Sequence, residues 1–360
     1  MRRGHLEALR PVCPVCRAAG GENALTLAAV LRDEDGFIIE GMLRCPNSSC
    51  QREYPVLDGI PLLIANLRGY VAGAIDQINA RGDLDRVTES LLGDCCGPGS
   101  SYDIIRQHLS TYSWDHYGDL DPEETGEPRP GSVLRVLERG LELAGDLPEG
   151  PILDLGCAVG RSTFALAGGG DRLVLGVDLS FPMLQVASEA LRRGRVRYPR
   201  RRVGIVYDRR DFPVTFQGSE EVDLWACDAA DLPFPAGTFA AVVGLNVLDC
   251  VGSPHGLLAS LPRLLAPGGK AVLSTPYDWS AAATPLEAWL GGHSQRGEAA
   301  GAGEPVLRAL LTPGAHPASI EGLRIVAEDR DLPWRVRLHE RSSVEYRVDL
   351  VVVEKTPAPV

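Results

Sequence analysis

Between about residue 146 and residue 276, apolar strand-like runs alternate with stretches of helical pattern, and this alternation most constrains the fold. The runs are 152–155, 173–178, 222–227, 239–245 and 271–275. Such alternation is the signature of a parallel sheet with crossover helices, so an α/β protein is expected. Helix punctuation agrees. Ser253-Pro254 reads as N-cap and first helical residue before "HGLLASLPRLL", and "APGGK" ends that helix.

Ligands in open α/β sheets bind at the carboxyl ends of the strands. The first such end reads "ILDLGCAVGRST", with Asp154, Gly156 and Gly160 on a strand-to-helix turn. Dinucleotide folds use G-x-G-x-x-G, whose middle glycine admits a pyrophosphate. Here Ala158 fills that place, and Asp154 at the strand end would repel a phosphate. An acid there can instead accept from an ammonium group, which suits the amino-acid end of S-adenosylmethionine (SAM). "LVLGVDLS" then puts Asp178, followed by Leu179, where ribose hydroxyls need an acid, about twenty residues on. "LWACDAADLPFP" offers Asp228 and Ala229 beside the adenine, with Leu232 and Phe234 as apolar walls. "GLNVLDC" sets Asn246 and Asp249 on the same edge of the sheet. Cys157, Cys227 and Cys250 are expected to fill space near the cofactor.

In this order, "LDLGCAVGRS", "GVDLS", "CDAADLPFPAGTFAAVVGLNVLDCV" and "LLAPGGKAVLSTP" resemble the class I SAM-dependent methyltransferase family. The resemblance implies a Rossmann-like sheet of seven strands whose last, "YRVDLVVVEK", is antiparallel. It also implies a cofactor site lined by Asp154, Gly156, Cys157, Gly160, Asp178, Leu179, Asp228, Ala229 and Asn246.

Composition narrows the partners. The 360-residue chain suits two domains, and its formal charge of −12 argues against coating nucleic acid or anionic membrane. No apolar run approaches the roughly 18 residues that span a bilayer. The N-terminus "MRRGHLEALRPVCPVC" has no apolar signal core. Nine cysteines, an odd number in a chain too large to need staples, point to a reduced, cytoplasmic protein.

Four of those cysteines form two knuckles, Cys13/Cys16 in "CPVC" and Cys45/Cys50 in "RCPNSSC". That set can surround one structural zinc ion (Zn2+) tetrahedrally. With the following "REYPVLDGIPLLI", the segment is similar to the small zinc-ribbon proteins that activate methyltransferases. The expected organisation is a zinc-ribbon-like domain at 1–66, a helical linker and cover segment at 67–145, and the methyltransferase domain at 146–360.

On the acceptor side, "YSWDHYGDLD" gathers Tyr112, Trp114, Asp115, His116 and Tyr117 just before the glycine turn. "TPYDW" and "WLGG" lie beyond the fifth run. Together these strings resemble the methyltransferase domain that completes ovothiol by methylating a ring nitrogen of mercaptohistidine. The resemblance implies a small, thiol- or imidazole-type acceptor. His116 is the candidate base, Tyr117 and Tyr277 are candidate orienting groups, and Asp278 and Trp279 would border the pocket. The competing partner is RNA, gripped by "LRRGRVRYPRRR", which holds Arg192, Arg193, Arg195, Arg197, Arg200, Arg201 and Arg202. That run reads as an exposed loop, and Cys95-Cys96 as a thiol pair in a glycine-rich loop. A non-catalytic SAM-binding protein is the third reading.

Overall fold

All five apolar runs are strands in the structure, a computed structural model that describes residues 1–80, 82, 84–125 and 129–356. The chain opens with α1 (Arg3–Leu9) and α2 (Pro14–Ala18). A meander follows: β1 (Thr26–Glu34), β2 (Phe37–Arg44), β3 (Glu53–Leu57) and β4 (Ile60–Leu63). Next come α3 (Leu67–Ile78), α4 (Arg86–Cys96), α5 (Ser101–Tyr117) and α6 (Ser132–Ala144). The alternating region holds β5 (Ile152–Leu155), α7 (Arg161–Ala167), β6 (Val174–Asp178) and α8 (Phe181–Arg193). The hairpin β7 (Arg195–Val203) and β8 (Val206–Pro213) interrupts it. It resumes with β9 (Val222–Cys227), β10 (Phe239–Leu245), α9 (Pro254–Leu264) and β11 (Leu265–Thr275). Then α10 (Gly303–Leu310), β12 (Leu323–His339) and β13 (Ser342–Lys355) close the described chain.

Seven strands in the order β9-β6-β5-β10-β11-β13-β12 form the expected Rossmann-like sheet, with β13 antiparallel to both neighbours. Strands β5 and β9 are buried at every position, as parallel strands covered on both faces require. Helix α9 starts where its cap signals put it. The Ser253 side chain accepts from the Gly256 N–H, and Pro254 is the first helical residue. Its Leu257, Leu258, Leu261 and Leu264 are buried.

The four N-terminal strands extend this sheet. Strand β4 pairs in parallel with β9, Leu62 opposite Ala226 and Leu63 opposite Cys227, giving eleven continuous strands. The cysteine-bearing segment thus shares backbone pairing and core with the rest. A second link is the Val12 N–H, which donates to the Pro233 carbonyl at 2.8 Å.

Two expectations fail on local grounds. The arginine-rich run is no loop: Arg192 and Arg193 end α8, and from Arg195 on it is strand β7, with Val196 and Tyr198 buried along it and β8 paired to it. Cys95 and Cys96 end helix α4, with the turn beginning only at Gly97. No helix among the described residues is long and apolar enough to cross a membrane.

Candidate functional site

Strand β5 has β6 on one side and β10 on the other, so the strand order reverses there and a crevice opens at their carboxyl ends. The glycine turn sits in it. Gly156 (φ 71°) and Gly160 (φ 89°) are left-handed, and a Cβ on either would lie 2.8 Å from Val247 or Ala187. Both turns therefore need glycine. Ala158 between them is also left-handed at φ 48°, and its N–H donates to Asp178 at 2.9 Å. The Cys157 thiol is buried beneath the turn.

Half-buried Asp178 ends β6. One carboxylate oxygen accepts from the Ala158 N–H and the other from the Ser180 N–H at 2.7 Å. Each oxygen keeps a lone pair for a further donor. Burial raises its pKa. Leu179 beside it is 46% exposed, and the Tyr70 hydroxyl of α3 donates to the Leu179 carbonyl at 2.9 Å. Asp228, past the end of β9, accepts from the Ala230 N–H at 2.9 Å with half-buried Ala229 between them. Asn246 follows β10 at φ 53°, its side-chain oxygen accepting from the Ser274 hydroxyl at 2.8 Å. Gly156, Gly160, Asp178, Leu179, Asp228, Ala229 and Asn246 all lie on this edge.

Several residues do other work than the sequence suggested. Asp154 is 2% exposed, and one of its oxygens accepts from the Ser162 and Thr163 hydroxyls at 2.7 and 2.6 Å. Burial raises it to about 6. It braces the first turn of α7 from inside and is not open to a ligand's ammonium. His116 is buried under the turn: its Nδ1 accepts from the Arg161 N–H at 3.3 Å, and burial lowers its pKa to about 3. Tyr117 is fully buried and donates to the Val159 carbonyl, so it props the same turn. Tyr277 donates to the Asp349 carboxylate at 3.4 Å and packs against Gly303 at the start of α10. Leu232 and Phe234 are core residues. Phe234 stacks on Trp225 at 5.9 Å and meets Phe239 edge-on at 5.0 Å. Asp115 accepts from the N–H groups of Gly131, Ser132 and Val133 at the start of α6. Cys250 is exposed, whereas Cys157 and Cys227 are buried.

A second group gathers next to Asp178. Burial and the charge of exposed Asp278 raise the Tyr346 phenol of β13, and the same charge bears on the Asp249 carboxylate. Burial raises Asp249 to about 7, and Thr275 donates to it at 3.3 Å. Burial also raises the Tyr112 phenol of α5, with Cys250, Asp178 and Asp249 adding to the effect. Trp279 stacks on Trp289 at 6.3 Å alongside. The sequence reading missed Tyr346 and Tyr70. Tyr346 stands in the alternating pattern of β13 and reads as an ordinary strand residue, and no local signal ties Tyr70 to Leu179.

The cysteine knuckles converge. The sulfurs of Cys13, Cys16, Cys45 and Cys50 all lie within 4.8 Å of one another, with Cys13–Cys50 at 3.7 Å and Cys16–Cys45 at 3.6 Å. Zn–S bonds of about 2.3 Å at tetrahedral angles require S–S edges of about 3.8 Å, whereas a disulfide needs about 2.05 Å. The donor set fits a tetrahedral thiolate centre.

Six of the seven arginines of the run already face acids. Arg195 and Arg197 share Asp211, Arg200 holds Glu124, and Arg202 faces Asp208 and Glu340. Arg192 and Arg193 pair with Glu34 and Glu189, and Arg201 bonds Gln107 and the Gly204 carbonyl.

Residues 153–273 match the family model described as a methyltransferase domain. A demethylmenaquinone methyltransferase of Tropheryma whipplei is 30% identical over 122 residues, 34% of this chain and 40% of that protein. A nocamycin O-methyltransferase of Saccharothrix syringae is 30% identical over 196 residues, 52% of this chain and 60% of that protein. The chain thus spans about half the length of these curated relatives. Among solved structures, the [4+2]-cyclase SpnF is similar with a TM-score of 0.40 and 14% identity, over 70% of this chain and 97% of that one.

Proposed function

We propose that the protein is a SAM-dependent methyltransferase acting on a small molecule, with a thiol- or imidazole-bearing acceptor of the mercaptohistidine kind. The carrying observation is Asp178, anchored by two backbone donors at the end of β6 and still able to accept two more hydrogen bonds. It is assigned to the ribose hydroxyls, Ala229 and Leu179 to the adenine, and the 156–160 turn and Asn246 to the methionine portion. Bound SAM supplies an electrophilic methyl group on a good leaving group. The protein's part is alignment, which can lower a barrier by about 7–11 kcal/mol. Asp278 and Tyr346 are assigned to the acceptor, Asp278 by attracting a cationic group and Tyr346 by hydrogen bonding. A neutral imidazole nitrogen already carries its attacking lone pair, so no protein base is needed before transfer.

Zinc in the four-cysteine site is assigned a structural role, since four thiolates leave no open position. The assignment to a cytoplasmic, reducing compartment rests on nine cysteines that form no disulfide. The division into ribbon, cover and catalytic segments at 1–66, 67–145 and 146–360 follows the element order. The small-molecule reading is favoured over RNA by the paired arginines and by what the two relatives' names say they methylate. The test is methyl-labelled SAM with a metabolite panel that includes mercaptohistidine, alongside ribosomal RNA and protein. Label in a small molecule is expected, with Asp278→Asn raising the acceptor KM and leaving SAM affinity unchanged. Label in RNA alone would overturn the reading.

A further inference from the structure

Between α4, α5 and the β7–β8 hairpin lies a cavity of about 210 Å³, more than tenfold the roughly 10–15 Å³ that one water needs. It is built from elements other than the strand ends of the methyl-transfer site. Arg106 of α5 lines it and is 6% exposed. Its guanidinium carbon lies 3.9 Å from the Tyr207 ring centre and 5.3 Å from that of Tyr102. Among the described residues no carboxylate pairs with it, and its Nε is buried without a hydrogen-bond partner. Gly93 of α4 makes room for the group, since a Cβ there would collide with Nη1.

The other charges on the cavity wall are matched. Arg209 holds Glu89, and Arg86 faces Asp208 at 3.6 Å. Arg106 is left as the unbalanced cation. A buried guanidinium is costly without an anion, and ring faces offset only part of that cost. Ser90 of α4 adds a hydroxyl to the same wall. Arginine's fork of donors matches an oxyanion in two-point geometry.

We propose that this cavity is a binding site for a small oxyanion, a phosphate or carboxylate group carried by a small molecule, with Arg106 as its principal ligand. The site does not depend on the methyl-transfer reading. Titration calorimetry of the full chain with inorganic phosphate and with acetate, at matched ionic strength, tests it and tells the two chemistries apart. Saturable one-site binding of at least one anion at millimolar concentration is expected. Arg106→Gln should abolish it. Ser90→Asp, at an exposed position on the cavity wall, should also abolish binding by placing a carboxylate in the cavity. Absence of saturable binding to the wild-type protein would overturn the proposal. So would unchanged binding in a folded Arg106→Gln or in Ser90→Asp.

Discussion

Removing metal from the four-cysteine cluster is expected to destabilise the whole chain. The reason is the shared sheet. Once the sulfurs of Cys13, Cys16, Cys45 and Cys50 lose the proposed zinc ion, nothing covalent ties α2 to the β2–β3 turn. Strand β4 then depends on its pairing with β3 and β9 and on links such as the Val12–Pro233 hydrogen bond, with the meander behind it loosened. Release of β4 exposes Ile60, Leu62, Leu63 and Ile64, all 6% exposed or less. At about 1.5–3 kcal/mol for each side chain, that burial amounts to about 6–12 kcal/mol. This rivals the 5–15 kcal/mol that hold a typical domain together. Differential scanning calorimetry of metal-loaded protein should show one cooperative transition. Chelation, or Cys45→Ser, should lower its midpoint by more than about 10 °C. Wild-type protein that is metal-free by elemental analysis yet melts at the same temperature would refute the reasoning. So would a separate early transition that leaves the main one in place.

Asp178→Ala should weaken SAM binding. Two hydrogen bonds to a charged group, at about 1.5–3 kcal/mol each, correspond to a loss of about 10²- to 10⁴-fold by calorimetry. Unchanged affinity would contradict the ribose assignment. Asp154, raised by burial from 3.8 to about 6, makes the folded state bind its proton more tightly than the unfolded state does. Its stabilising contribution is full below pH 4 and is lost as pH rises through about 6, by about 3 kcal/mol. Asp154→Asn should remove that share of the decline in urea unfolding measured across this range. Parallel wild-type and variant profiles would count against it. Glu124 is buried between Arg200 and Arg337, tying the cover segment to β7 and β12. Glu124→Gln takes the carboxylate from Arg337 and leaves Arg200 only Glu340 at 3.8 Å, and should cost about 3–5 kcal/mol in urea unfolding. A loss below about 1 kcal/mol would mean the cluster is not buried in solution.

The sheet was legible in the sequence because buried parallel strands are written as uninterrupted apolar runs, and 222–227 and 239–245 coincide with β9 and β10. The glycine turn was legible because Gly156 and Gly160 serve a backbone need that few residues can meet. Side-chain duties were harder to read. Asp154, His116 and Tyr117 sit in the expected segments, but they turn inward to brace α7. Which way a polar group faces depends on partners such as Ser162, Arg161 and Val159, whose positions only the fold supplies. The β4–β9 junction was hidden for a similar reason. "IPLL" reads as a strand, but its partner lies more than 150 residues away. The arginine run read as an exposed loop, with a phosphate grip as the competing reading, because its acids are scattered over Glu34, Glu124, Asp208, Asp211 and Glu340 and meet it only in three dimensions.

A crystal structure of the protein with S-adenosylhomocysteine most directly tests whether the strand ends of β5, β6, β9 and β10 hold the cofactor. The ribose hydroxyls are expected on Asp178, the adenine beside Ala229, and the homocysteine portion against the 156–160 turn. A nucleoside bound elsewhere, or that crevice empty at saturating ligand, would contradict the account.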